Sequence, residues 1–515
     1  MSSRSAPSTK PGTSTQLPPS ARSPFSAEAG AQPERPPLPP GPYLVVGLGR
    51  AGLAAARALV AKAGPGAVRA WDGAADPRQR RTAAGLRADG VEVQLGGEVL
   101  AWLDATRAIV KSPGVRADIP LIAEALRRGV PVIDELELGW HLVPAPTVAV
   151  TGSNGKSTTS GLCLQLLAAH GFEPVLTGNT EYGPPLSQVA LAEAPGAVVA
   201  EVSSFQAELA RNLAVEAAIF TNLTPDHLNR HGGLAPYRAA KRRLFVRGDW
   251  CVPFACVNRD DDLGRRLARE VCERGGGVST YGFERGADYR IAGCNWSLRG
   301  AEVELETPDG PLRLQTRLPG RHNAANLTAV LAFADHFGLP RERTIAALST
   351  AAPVPGRFEA VEVDRPFDVI VDFGYTPGSV RATLTTAREL AAARGGRLLV
   401  VLAQLGRAGT AVGHEVGACA RELSDHLILS ASSYVGEPRI KNLARAAAGA
   451  RAARGGTLEI VIDRRRAIAT ALDRARAGDV VVLQGRGATA REATDRRGGF
   501  VELDDRRVVR ELLSR

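Results

Sequence analysis

No stretch of this 515-residue chain approaches the roughly eighteen consecutive apolar residues that a membrane-spanning helix needs. Its first 42 residues also lack the apolar centre of a secretory signal. Both absences point to a cytoplasmic protein without a membrane partner. Cysteine is sparse. The six, Cys163, Cys251, Cys256, Cys272, Cys294 and Cys419, show no metal-ligand spacing and read as reduced structural thiols. The formal charge of +10 comes without a block of basic residues, a zinc-finger spacing or an aromatic RNA-binding motif, so nucleic acid is not an expected partner. Positive potential suits clefts that hold phosphates, and a plain bias toward Arg accounts for it equally well. There is no fixed-period repeat.

Lysine is scarce too. Only Lys10, Lys62, Lys111, Lys156, Lys241 and Lys441 interrupt the arginines. Each therefore raises the question of what Arg could not do at that position.

With 44% hydrophobic residues the chain can bury full-sized cores, and its length suggests three domains. Residues 1–42, rich in Pro, Ser, Ala and Gly, are expected to be disordered. From Tyr43 onward, strand and helix signals alternate, which predicts α/β units with parallel sheets. Pro144-Ala145-Pro146 and Pro353-Val354-Pro355-Gly356 read as linkers. They divide the chain into a Rossmann-like unit (43–143), a central P-loop unit (144–352) and a C-terminal Rossmann-like unit (353–515).

The segment Val148-Ala149-Val150-Thr151-Gly152-Ser153-Asn154-Gly155-Lys156-Ser157-Thr158 joins a buried strand to a helix through a Gly-rich turn. Glycines let several N–H groups point at phosphate oxygens, and the helix start adds positive dipole character. Lys156 would neutralise β- and γ-phosphate charge, while Ser157 or Thr158 could reach Mg²⁺. The loop is shorter than the standard P-loop, and the bland reading is a turn with an exposed Lys. Gly47, Gly49 and Gly52 form a G-x-G-x-x-G after the first strand, with Asp72 downstream. A dinucleotide or a UDP-sugar would satisfy that geometry, with Asp72 reaching the uridine in the second case; a ligand-free tight turn is the bland reading. Glu201 and His227 follow the strands Val198-Val199-Ala200 and Ala218-Ile219-Phe220. Residues just past strand ends share one crevice, so both should converge on the Lys156 phosphates. A carboxylate there suits Mg²⁺, and His suits a metal or substrate contact. Taken singly, each is an ordinary strand-end residue.

Six segments occur in order: Thr151 to Thr158, Glu201-Val202-Ser203-Ser204-Phe205-Gln206, Asn222-Leu223-Thr224-Pro225-Asp226-His227, Tyr237-Arg238-Ala239-Ala240-Lys241, Gly320-Arg321-His322-Asn323-Ala324-Ala325-Asn326 and Arg357-Phe358-Glu359. This set resembles the Mur ligase family. The first domain and Ser112-Pro113-Gly114 look most like its D-glutamate-adding branch. The resemblance implies an ATP-dependent ligase of peptidoglycan precursor synthesis, acting as a monomer on a UDP-sugar peptide and an amino acid. It implies ATP held by Gly152, Asn154, Gly155, Lys156, Ser157 and Thr158, with Asn323 and Asn326 near adenine and Arg357 and Asp372 at the nucleotide. Asn179, Ser112 and His227 would serve the UDP-substrate. Ser157, Glu201 and a carbamylated Lys241 would serve Mg²⁺, a modification that Arg cannot undergo because its guanidinium stays protonated. The third domain departs from the branch: Asp372-Phe373-Gly374-Tyr375-Thr376-Pro377 looks more like other family members, which leaves the amino acid open. A ligase with another acceptor, a non-catalytic nucleotide-binding paralogue and a dehydrogenase are the competing readings. The last leaves the P-loop unexplained.

Overall fold

The computed structural model describes residues 35–180, 182–403, 410–432, 439–493 and 500–514. The expected disorder of 1–34, the loop Gln404 to Gly409 and the centre of the Ser430 to Arg439 stretch lie outside these residues.

Among the described residues, three large sheets follow one another along the chain, with two small two-stranded ribbons besides. The first has five parallel strands in the spatial order Glu92–Leu95, Val68–Asp72, Tyr43–Val46, Ala108–Lys111 and Val132–Asp134. Chain direction across the sheet reverses beside Tyr43–Val46. This opens a crevice between the turn after that strand and the loop after Ala108–Lys111.

The central sheet has nine strands. Thr147–Thr151 lies between Ala217–Phe220 and Ala197–Glu201, all parallel. Val148, Val150, Leu162, Leu166, Ile219, Val330 and Phe333 fill the core on one side of it, under helices Lys156–Ala169 and Arg321–His336. Trp140, Val198, Phe220 and Phe245 fill the other side. Each fully buried side chain of this size contributes about 1.5–3 kcal/mol, and their all-apolar strands need cover on both faces. The parallel sheet is extended at its far edge. Tyr289–Ser297, Gly300–Thr307 and Gly310–Thr316 form an antiparallel extension. Its sequence alternates buried Ala301, Val303 and Leu305 with the acids Glu302, Glu304 and Glu306, and turns at Pro308-Asp309-Gly310.

The third sheet runs Glu359–Val361, Asp368–Asp372, Val480–Gln484, Leu398–Ala403, His426–Ser430 and Thr457–Ile460. Only its first strand is antiparallel.

Residues 35–42 are described, and Arg35 is tied down: its guanidinium donates to the carbonyls of Trp140 (2.7 Å), Ala145 (2.6 Å) and Val143, and lies over the Trp140 ring. One side chain, not an apolar run, anchors this segment.

Candidate active site

The loop between strand Thr147–Thr151 and helix Lys156–Ala169 fits its backbone only as glycine. Gly155 has φ +84°, and a Cβ there would fall 2.7 Å from Asn326 Oδ1. A Cβ on Gly152 would lie 1.8 Å from Thr221 Oγ1. The loop is pinned from below. Thr221 Oγ1 donates to the Asn154 carbonyl (2.6 Å), and Asn222 Oδ1 accepts from Asn154 N (2.9 Å). No side chain caps the helix start, so its first N–H groups face the loop's concavity. This is a cradle for anionic oxygens.

Lys156 turns its ammonium back on the loop, donating to the carbonyls of Gly152 (3.0 Å) and Ser153 (2.9 Å). Burial lowers its pKa, Glu201 and Asp226 oppose that, and Arg357 adds to it. Lys241, on helix Leu234–Arg242, is 1% exposed and donates to the same Gly152 carbonyl at 2.6 Å. Its pKa falls well below the usual lysine value, through burial first and the nearby Lys156 charge second. Burial and the neighbouring charge both shift this amine toward its neutral form.

Glu201 is buried at its strand end. One oxygen accepts from Asn179 Nδ2 at 3.0 Å, and the other has no hydrogen-bond partner among the described residues. A buried carboxylate oxygen without a hydrogen-bond partner is a fit for a cation. His227 sits at φ +53°, a conformation that a non-glycine residue adopts at a cost, 3.3 Å from Asp226 and 4.7 Å between ring centres from Phe205. Burial lowers its pKa, Asp226 opposes this, and the Lys156, Lys241 and Arg230 charges add to the lowering.

Asn323 and Asn326 are packed beneath the loop. Asn323 donates to the Pro319 carbonyl (2.8 Å) and accepts from Asn326 (3.2 Å), whose own oxygen accepts from Thr159 (3.2 Å). From the third sheet's side, Arg357 donates to Ser157 Oγ at 3.2 Å and lies over the Phe373 ring. Asp372 is held within the third unit. Both its oxygens are engaged by protein donors: Phe358 N, Gly374 N, Thr383 Oγ1 and Gln484 Nε2. It orders the segment that follows Arg357.

In the first unit, a Cβ on Gly52 would fall 1.7 Å from the Gly47 carbonyl, and Gly47 has φ +90°. Gly49 has open space. Ser112 lies against this turn, its N–H bonded to the Val46 carbonyl at 2.9 Å. Asp72 accepts from Leu48 N (2.7 Å) and Ala74 N (2.8 Å), so its carboxylate braces the turn itself. These residues form a second locus, and the loop cluster of Lys156, Glu201, His227 and Lys241 a first. Two contributors escaped the sequence reading. Tyr237 meets Ser153 Oγ at 2.9 Å and lies under the Lys241 ammonium, and Asp226 faces both lysines electrostatically. Position in the Tyr237-to-Lys241 and Asp226-His227 motifs was their only signal.

Residues 42–134 match the N-terminal domain of MurD-like Mur ligases, 150–334 the Mur ligase middle domain, and 356–487 the Mur ligase glutamate ligase domain. The chain belongs to the Mur ligase family. It is an ATP-dependent ligase. A UDP-N-acetylmuramoylalanine–D-glutamate ligase of Alcanivorax borkumensis is 32% identical over 470 residues, covering 90% of this chain and 96% of the relative. One from a Synechococcus strain is 37% identical over 334 residues, 62% of this chain and 67% of the relative. The solved UDP-N-acetylmuramate-alanine ligase of Thermotoga maritima shares the fold with TM-score 0.54 at 20% identity, over 86% of this chain and 95% of that one.

Proposed function

We propose that this Mur ligase joins D-glutamate to UDP-N-acetylmuramoyl-L-alanine in peptidoglycan precursor synthesis, acting as a cytoplasmic monomer. One observation carries the reading most: likeness to a ligase of that name along nearly the whole chain, together with an intact Lys156, Glu201 and Lys241 cluster. The first unit (43–143) takes the UDP-substrate across the Gly47 to Gly52 turn and Ser112. The central unit (144–352) takes ATP, and the third (353–515) covers it through Arg357.

The acceptor's carboxylate oxygen takes the terminal phosphoryl group of ATP, and ADP leaves. The amine nitrogen then displaces phosphate from the acyl carbon and loses its proton, forming the amide. Such transfer depends on positioning and charge neutralisation more than on protein nucleophiles. The N–H groups of the Gly152 to Thr158 loop and Lys156 hold the phosphates. Asn179 holds Glu201 in place, and neutral His227 offers a hydrogen bond to the acceptor. Lys241 captures carbon dioxide: its neutral nitrogen bonds to the carbon, a proton leaves to solvent, and a carboxylate results. Ser157, Glu201 and that carboxylate would hold magnesium, which when bound neutralises charge on the transferring phosphoryl group. Arg357, stacked on Phe373, closes the site against water, which an acyl phosphate requires.

The test combines the protein with ATP, Mg²⁺ and UDP-N-acetylmuramoyl-L-alanine, and screens amino acids by phosphate release and product mass. Turnover with D-glutamate alone is expected. Turnover only with another amine would assign a different specificity, which the Asp372 to Pro377 segment, unlike the D-glutamate branch, keeps as the second reading. No turnover with any acceptor would overturn the ligase role. Lys156→Ala is expected to abolish ATP consumption in the same assay.

A further inference from the structure

The boundary between the first and central units contains a lysine that the reaction leaves unused. Lys111 ends strand Ala108–Lys111 and its side chain is fully buried. Its ammonium lies 3.2 Å from Asp134 Oδ2, 3.3 Å from Glu208 Oε1 and 3.3 Å from the Phe205 carbonyl oxygen. Three acceptors around one nitrogen match the three N–H groups of an ammonium. A guanidinium spreads its donors in one plane and cannot reproduce that tripod. This answers, for Lys111, why an arginine-rich chain keeps lysine here. Asp134 belongs to the first sheet, whereas Phe205 and Glu208 follow the central strand that ends at Glu201, so the tripod crosses the boundary.

A second cation closes the cluster from the central side. Arg230 Nη2 donates to Glu208 (2.9 Å), the Val115 carbonyl (2.9 Å) and the Pro113 carbonyl (3.2 Å), and Nη1 to the Gly114 carbonyl (3.2 Å). Its guanidinium lies 4.1 Å over the Phe205 ring, and that ring packs against His227. Arg230 is three positions after His227, in the turn that His227 opens. Two cations and two carboxylates balance, and all four groups are bonded.

We propose that Lys111 and Arg230 are positioning residues that hold loop 112–115 and the His227 turn in one frame, so that an acceptor lying on the first is presented to the second. The placement of the acceptor rests on the function proposed above; the frame itself does not.

The full-length protein is compared with Arg230→Met, Arg230→Lys and Lys111→Arg. In Arg230→Met, KM for UDP-N-acetylmuramoyl-L-alanine should rise by about tenfold or more while KM for ATP stays within about twofold. Arg230→Lys, reaching fewer carbonyls, should give a smaller rise in the same direction. Lys111→Arg should fail to preserve the wild-type acceptor KM despite keeping the charge. If Arg230→Met does not fold, the two conservative variants carry the test. An unchanged acceptor KM, or equal losses in both KM values together with a lowered melting temperature, would overturn the proposal. Hydrogen exchange at 112–115 separates the two readings. Faster exchange in Arg230→Met supports the frame even if the wild type turns over no acceptor, an outcome that would sink the functional assignment alone. Unchanged exchange would sink the frame.

Discussion

Lys241 and Glu135 illustrate how burial sets the chemistry of single residues here. Lys241 loses its proton more readily than a free lysine because water is excluded and Lys156 is close. Lys241→Ala should lower kcat on the order of a hundredfold or more, with partial recovery on adding formate or acetate, whereas Lys241→Arg should show no recovery. Full activity of Lys241→Ala in a phosphate-release assay would remove this residue from the reaction. Glu135, buried at the start of helix Glu135–Leu142, accepts from Ser187 N at 2.8 Å and Ser187 Oγ at 2.6 Å. Burial raises its pKa to about 7, against the lowering effect of those bonds. A raised folded-state pKa means that its contribution to stability is intact below about pH 4.5 and is lost as pH climbs through about 7. Glu135→Gln removes that loss. The variant should therefore gain on the wild type by on the order of 2 kcal/mol between about pH 5 and 8. Urea unfolding at several pH values checks it, and a pH-independent difference would contradict it.

At the scale of elements, the strand-loop-helix at Thr147 to Ala169 was legible because each part has a local signal: an apolar strand, glycines where curvature is needed, then Lys-Ser at a helix start. What the residues cannot announce is who presses on the loop. Asn326, from a helix far along the chain, fills the space a Cβ at Gly155 would take. Gly155→Ala combines that clash with a left-handed backbone, a strain of about 1–2 kcal/mol before any repacking. It should raise KM for ATP and lower thermal stability together; a silent Gly155→Ala in calorimetry and nucleotide titration would show that the loop is not held as described. The antiparallel extension Tyr289–Ser297, Gly300–Thr307 and Gly310–Thr316 was not read from the sequence. Its period-two alternation was present in the sequence. Whether such strands continue a parallel sheet or turn back depends on turns, here Pro308-Asp309-Gly310.

Across the whole molecule, Leu136 and Trp140 of the first unit are buried with the central core, and charged residues add a second set of ties between the units. Asp134, Glu135 and Glu137 at one helix start reach Lys111, Ser187 and the N–H groups of Arg211 and Asn212. Arg35 clasps the linker that follows the same helix. Arg35→Ala should lower the first thermal transition by about 2–4 °C with little change in turnover; an unmoved transition would make the clasp incidental. Among the described residues no helix is long and apolar enough to cross a membrane, as the residue pattern indicated. Three α/β units, the Gly-rich turn between strand and helix, and the strand-end positions of Glu201 and His227 were readable from the chain because local signals carry them: alternating periodicity, glycine spacing, and residue types at strand ends. Tertiary structure alone decided that Asp72 and Asp372 are engaged by backbone and side-chain donors, that one oxygen of Glu201 is left open, and that Lys111 is gripped by three acceptors from two units. Those outcomes depend on which distant segments supply donors and exclude water, and no run of neighbouring residues encodes that.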